Sequence, residues 1–185
     1  MRNVSKPMVF TALFTALTAL GAFIQIPIPP YPVPMTLQTA FLFLAGLLLQ
    51  KREAFFSQVT YVVLGLIGIP IFTKGGGTGY VFDPTFGYLL GFIVLAPALR
   101  MLAERTLYAG KRRTFAVGSV LLITLLQFIG VGYMCLVATV YTKVPISFSR
   151  ALYLVAIFLP LDILKLTFST TLALQLRKRL PHVFK

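Results

Sequence analysis

Charge is what this sequence most lacks. Only 11% of its 185 residues are Asp, Glu, Lys or Arg, where a soluble domain carries about a quarter. Hydrophobic residues make up 58% and mean hydropathy is +0.90. Such a chain cannot cover itself with water-facing side chains, which excludes an ordinary soluble domain and points to an integral membrane protein. Acids are the scarcest group, four against seventeen Lys and Arg. Glu53, Asp83, Glu104 and Asp162 stand far apart in sequence, and no metal cluster, nucleophile–base pair or HExxH motif is present. Neither an enzyme nor a resident metal or cofactor is therefore expected. The one histidine, His182, sits in a basic tail, and the one cysteine, Cys135, in an apolar run. That excludes an internal disulfide and a thiolate metal site. Tryptophan is absent, which slightly weakens stacking-based binding of a flavin. The net charge of +13 would suit nucleic acid, but the bases cluster between apolar segments and form no groove-reading motif, so nucleic acid is excluded as a partner.

What is present is a series of apolar segments near the ~20 residues needed to cross a bilayer. They run about 8–26, 35–50, 54–72, 85–102, 114–141 and 160–177. Prolines at 27, 29, 30, 32 and 34 stop the first. Residues 146–180 are too many for one crossing, and Pro160 suits the first turn of a helix better than its interior. The expected arrangement is a surface helix over 147–158 and a sixth crossing from Pro160, with Asp162 and Lys165 in its first turns. The fold expected is thus one all-α transmembrane domain over 1–185 with six transmembrane helices. With the N-terminus inside, thirteen Lys and Arg fall on the cytoplasmic side and three (Lys74, Lys143, Arg150) outside, Lys165 completing the seventeen. This bias places both termini in the cytoplasm of a multi-pass cell-membrane protein. A cleavable leader ending near Ala19-Leu20-Gly21 would instead leave five helices.

Four constellations stand out. Asp162 and Lys165, at i and i+3, share a helix face. Charges inside a membrane segment pair with each other or face a cavity. They fit either a structural ion pair or a ligand site offering an acceptor and a donor to a head group with N–H and C=O. The stretch "PPYPVPMTLQT" makes a stiff loop that delivers Thr36 and Gln38 to the start of the second helix. The glycine-rich "FTKGGGTGYVFDPTFGYLLGF" lacks the Gly-Lys-Ser/Thr of a P-loop, so the chain shows no ATP site of its own. In it Gly87 and Gly91 would admit a close helix neighbour, and Phe72, Tyr80 and Tyr88 would line an apolar cavity. Ala12 and Ala16, at i and i+4, make a smooth strip for another helix in this chain or in a partner.

"PVPMTLQT", "GIPIFTKGGGTGYVFDPTFGYLLGF" and "PLDILK" together resemble the three signatures of the BioY family, the biotin-binding S components of energy-coupling factor (ECF) transporters. The resemblance covers nearly the whole chain. It implies a six-helix protein with an outward-facing biotin cavity. Asp162 would accept from the ureido N–H and Lys165 would support the ureido carbonyl, with Thr36 and Gln38 matching the second-helix motif. Ala12 and Ala16 match the helix-one element that meets a transmembrane coupling protein, which works with two ATPases. Lys74 or Arg150 could meet the ligand's carboxylate on charge alone. Typical members read closer to GPTGGYLIGF, so Asp83 and Phe86 stand where small glycines are usual and the cavity rim is expected to differ. Function is expected to be biotin uptake, with an ECF module or alone. The alternatives are an S component for riboflavin or thiamine, and a membrane-embedded enzyme or structural subunit.

Overall fold

A computed structural model describes residues 5–27, 33–143, 146–181 and 183. Six α-helices form the described part: α1 (Ser5–Phe23), α2 (Gln38–Leu48), α3 (Lys51–Leu66), α4 (Phe86–Arg105), α5 (Arg112–Val137) and α6 (Phe148–Arg179). A two-stranded ribbon joins α1 to α2. Its strands β1 (Gln25–Ile26) and β2 (Met35–Thr36) pair antiparallel, with Gln25 opposite Thr36. A 3-10 turn, Thr78–Phe82, lies in the glycine-rich loop, and α5 ends in a π-helical turn, Ala138–Thr142.

Among the described residues, α1, α4, α5 and α6 are long and apolar enough to cross a membrane. Their outward faces are apolar too. Leu121, Leu125 and Phe128 on α5 and Leu164 and Phe168 on α6 are all exposed. Spacings of three and four put each set on one helix face, a surface suited to lipid and not to water. By contrast α2, at 11 residues, is only about 16 Å long. It is the buried centre of the bundle: nine of its residues are buried, packed on α1, α4 and α6. The break into α3 is a capping box in which the Gln50 N–H donates to Glu53 Oε2 at 3.1 Å.

Two glycines let α5 close on α4, the bundle's most extensive helix pair. A Cβ on Gly87 would lie 2.2 Å from the Tyr133 Cβ, and one on Gly91 2.5 Å from a Leu126 methyl.

Helix α6 departs from the sequence expectation. Pro160 does not start it: one helix runs from Phe148 to Arg179 with Pro160 inside, and no separate surface helix spans 147–158. At 32 residues it is about 48 Å long, well over the ~30 Å hydrocarbon core. The lost N–H of a proline is tolerated where neighbouring groups pack around it. Here Leu154 and Phe158, ahead of the proline, join Val33, Val131 and Met134 in a second apolar cluster that holds this end of α6 against α5. Asp162 therefore lies several turns into the helix, where the α6 dipole no longer helps it. The ends of the other helices shift by a few residues, most at α3, which stops at Leu66 instead of reaching Phe72. Pro29, Pro30, Pro32 and His182 fall outside the described residues.

Gly87→Ala should lower the melting temperature in detergent by several degrees, because overpacking costs about 1–3 kcal/mol. Gly132→Ala, with nothing within 4 Å of its added Cβ, should leave it unchanged. Equal effects would contradict the α4–α5 packing.

Candidate functional site

The N-terminus of α2, the segment that precedes it, the glycine-rich loop between α3 and α4, and α4, α5 and α6 surround a cavity of about 490 Å³, open mouth included. Leu89, Phe92, Phe158 and Val33 make apolar parts of its wall. Its polar groups belong to three hydrogen-bonded networks.

The deepest network centres on Asp162, which is 3% exposed. Oδ1 accepts from Lys165 Nζ at 3.0 Å and from Thr39 Oγ1 at 2.9 Å. Oδ2 accepts from Gln127 Nε2 at 2.8 Å. Lys165 also donates to Thr39 Oγ1 at 2.8 Å, and the Tyr88 hydroxyl donates to Gln127 Oε1 at 3.1 Å. Thr39 sits in the first turn of α2, so the partial positive charge that α6 cannot supply reaches Asp162 from α2. The second network fixes Gln38. Its Nε2 donates to the Tyr61 hydroxyl at 2.6 Å, which donates to the Ile71 carbonyl at 3.0 Å, while Thr36 Oγ1 donates to Gln38 Oε1 at 3.1 Å. The third lies in the glycine-rich loop. Tyr80 sits between Thr73 (2.7 Å) and Thr85 (2.8 Å), Thr85 donates to Asp83 (2.7 Å), and Lys74 pairs with Asp83 at 2.9 Å. Burial pushes the Tyr80 phenol above its ordinary range despite these hydrogen bonds, so it keeps its proton at physiological pH.

The structure brings Asp162, Lys165, Gln38, Thr36, Tyr80 and Tyr88 together on the cavity wall. Phe72 does not join them. Its ring is buried behind Tyr80 at 4.5 Å between centroids and edge-on to Tyr61 at 5.4 Å. It lies where a Cβ on Gly65 would come within 2.0 Å of it, so Phe72 is a prop for the wall and not the wall. Lys74 is already paired with Asp83, and Arg150 lies exposed at the start of α6. Ala12 and Ala16 are exposed on the outer face of α1 beside Met8, Val9 and Leu13, whereas Ala19 and Ala22 are buried. The strip thus faces away from this chain's other helices.

Sequence reasoning missed Gln127, Thr39, Thr73 and Thr85. Gln127 carried a usable signal, being the only amide side chain between 114 and 141, and a polar group at that depth needs partners. The threonines carried none, since a hydroxyl can be satisfied by its own helix carbonyls.

A lipid-facing helical bundle with a polar-lined cavity that holds a buried Asp–Lys pair defines a membrane-embedded small-molecule-binding protein. More particularly, the chain belongs to the BioY family, whose model matches residues 1–182. It is 42% identical over 143 residues to a probable biotin transporter BioY of Lysinibacillus sphaericus, covering 77% of this chain and 71% of that one. It is 30% identical over 179 residues to a probable biotin transporter BioY of Bacillus subtilis, covering 94% and 91%. Its fold is similar to the crystal structure of the S component for biotin from an ECF-type ABC transporter, with a TM-score of 0.83 over the full length of both chains at 23% identity.

Gln127→Leu should orphan the Tyr88 hydroxyl and one Asp162 oxygen together, at about 1–3 kcal/mol each. The expected result is a clear fall in melting temperature in detergent. A variant as stable as the parent would show that this network does not hold α5 to α6.

Proposed function

We propose that this protein binds biotin in the cavity and delivers it across the membrane as a substrate-binding component without an ATPase of its own. The observation that carries the reading is the buried Asp162–Lys165 pair facing the cavity. A neutral ureido ring has two N–H donors and one carbonyl acceptor. A carboxylate can take the first and an ammonium the second, and neither needs a counter-ion from the ligand. The free protein already satisfies Asp162 with Thr39, Gln127 and Lys165, so the acceptor is held in place before the ligand arrives. Such preorganisation limits the entropy lost on binding. Membership of the BioY family and the names of the relatives support biotin as the ligand. Gln38, Thr36, Tyr80 and Tyr88 would complete its surroundings, and Phe72 would act by propping Tyr80.

The exposed Ala12–Ala16 strip is the surface for the transmembrane coupling protein of an ECF module carrying two ATPases. Its small side chains let a partner helix approach closely. The excess of Lys and Arg on one side supports an orientation with both termini in the cytoplasm of a cell-membrane protein and the cavity opening outside.

Calorimetry on the purified protein should show 1:1 binding of biotin and none of riboflavin or thiamine. Asp162→Asn and Lys165→Ala should each weaken biotin binding by about a hundredfold or more, since charge-assisted hydrogen bonds are lost. Lys165→Ala binding as tightly as the parent would overturn the site. In a Cys135→Ser background, a cysteine at Lys178 should react with an impermeant maleimide only from the cytoplasmic face, and one at Thr78 only from outside. The reverse pattern would overturn the orientation.

A further inference from the structure

The loop wall of the cavity is a chain of hydroxyls with a fixed direction. Thr73, Tyr80 and Thr85 all line the cavity, whereas Asp83 does not. Thr85 Oγ1 lies 2.7 Å from Asp83 Oδ1, which also accepts the Thr85 backbone N–H at 2.8 Å. The other Asp83 oxygen takes Lys74 Nζ at 2.9 Å. A carboxylate only accepts, so the Thr85 proton must point at Asp83. Thr85 Oγ1 then has only lone pairs for Tyr80, 2.8 Å away, and the Tyr80 proton must point at Thr85. Thr73, 2.7 Å from the phenol oxygen, must in turn give its proton to Tyr80. Every hydroxyl proton of the three is committed along the chain toward Asp83. What remains for the cavity is oxygen lone pairs.

We infer that Asp83, from outside the cavity, is a positioning residue that makes the loop wall an acceptor-only surface and so decides which edge of the ligand can face it. The wall takes an N–H edge and rejects a carboxylate, which would set lone pairs against lone pairs. The inference deepens the biotin reading and rests on it for the ligand. A ureido ring has one N–H for Asp162 and another for this wall, and the carboxylate tail must lie elsewhere. Lys74 contributes by holding Asp83 in its acceptor role, not by meeting the tail.

Asp83→Asn keeps the shape and tests the direction. An amide that keeps its oxygen on Lys74 turns its nitrogen to Thr85, where it gives up the Thr85 N–H bond but can donate to the Thr85 hydroxyl, which lets the chain reverse and leaves a Thr73 proton free to enter the cavity. Two measurements are needed, affinity by calorimetry and the ring Cζ resonance of Tyr80 in ¹³C-tyrosine-labelled protein, assigned with Tyr80→Phe. In the parent, methylating one of the two ureido nitrogens should weaken binding by about tenfold or more, as a site built around an N–H rejects a ligand lacking it. In Asp83→Asn that penalty should shrink to about threefold or less, and the Tyr80 signal should shift. An equal penalty in both proteins, equal weakening of biotin and its analogue with a lower melting temperature, or an unmoved Tyr80 signal would each overturn the inference. If the parent binds no biotin while the Tyr80 signal shifts, the relay stands and the choice of biotin is what fails.

Discussion

The burial of one carboxylate sets the terms for the rest of the molecule. Asp162 lies deep among apolar helices, and an unpaired charge there would cost several kcal/mol. Its three side-chain donors come from three helices: Thr39 from α2, Gln127 from α5 and Lys165 from α6 itself. Satisfying it therefore fixes the register of those helices. It also accounts for the shape of α2. A helix that starts beside a buried anion begins inside the bundle: α2 starts at Gln38 and turns its positive end toward Asp162. The β1–β2 ribbon brings the chain to that point, with Thr36 accepting the Gln38 N–H at 3.3 Å.

The two ends of α2 are handled differently. At its N-terminus lies the cavity. At its C-terminus the Leu47 carbonyl accepts from the Tyr108 hydroxyl, and Arg177 lies over the Tyr108 ring at 4.2 Å. Arg100, itself buried, pairs with Glu104 at 2.7 Å. This end is closed by packed aromatic and guanidinium groups, with the basic Arg177-Lys178-Arg179 run beyond it. Burial raises the Tyr108 phenol above its ordinary range against the pull of both arginines, so that hydroxyl remains a donor. The bundle is thus open to a small molecule at one end and cross-tied at the other.

Much of this was legible in the sequence because the bilayer permits few solutions. Long apolar segments had to be helices, and an acid and a base three residues apart in such a segment had to be paired or in a cavity. The continuity of α6 was not legible. The rule that proline starts helices comes from chains in water, and what holds α6 together across Pro160 is a cluster with Val33, Val131 and Met134, remote in sequence. Phe72 was misplaced for a similar reason. An aromatic residue beside a cavity reads as lining, and only the gap at Gly65 shows why the ring turns inward. Asp83, read as an acid intruding on the rim, turns out to be tied by Lys74, nine residues back across the glycine turn, and by the Thr85 amide two residues on.

The most direct test is an experimental structure with biotin bound. The ureido ring should sit at the base of the cavity, with a nitrogen within about 3.2 Å of Asp162 and the carbonyl oxygen within the same reach of Lys165. A ring bound elsewhere, with Asp162 still held only by Thr39, Gln127 and Lys165, would reduce the buried pair to a structural clamp and leave the cavity without its assigned chemistry.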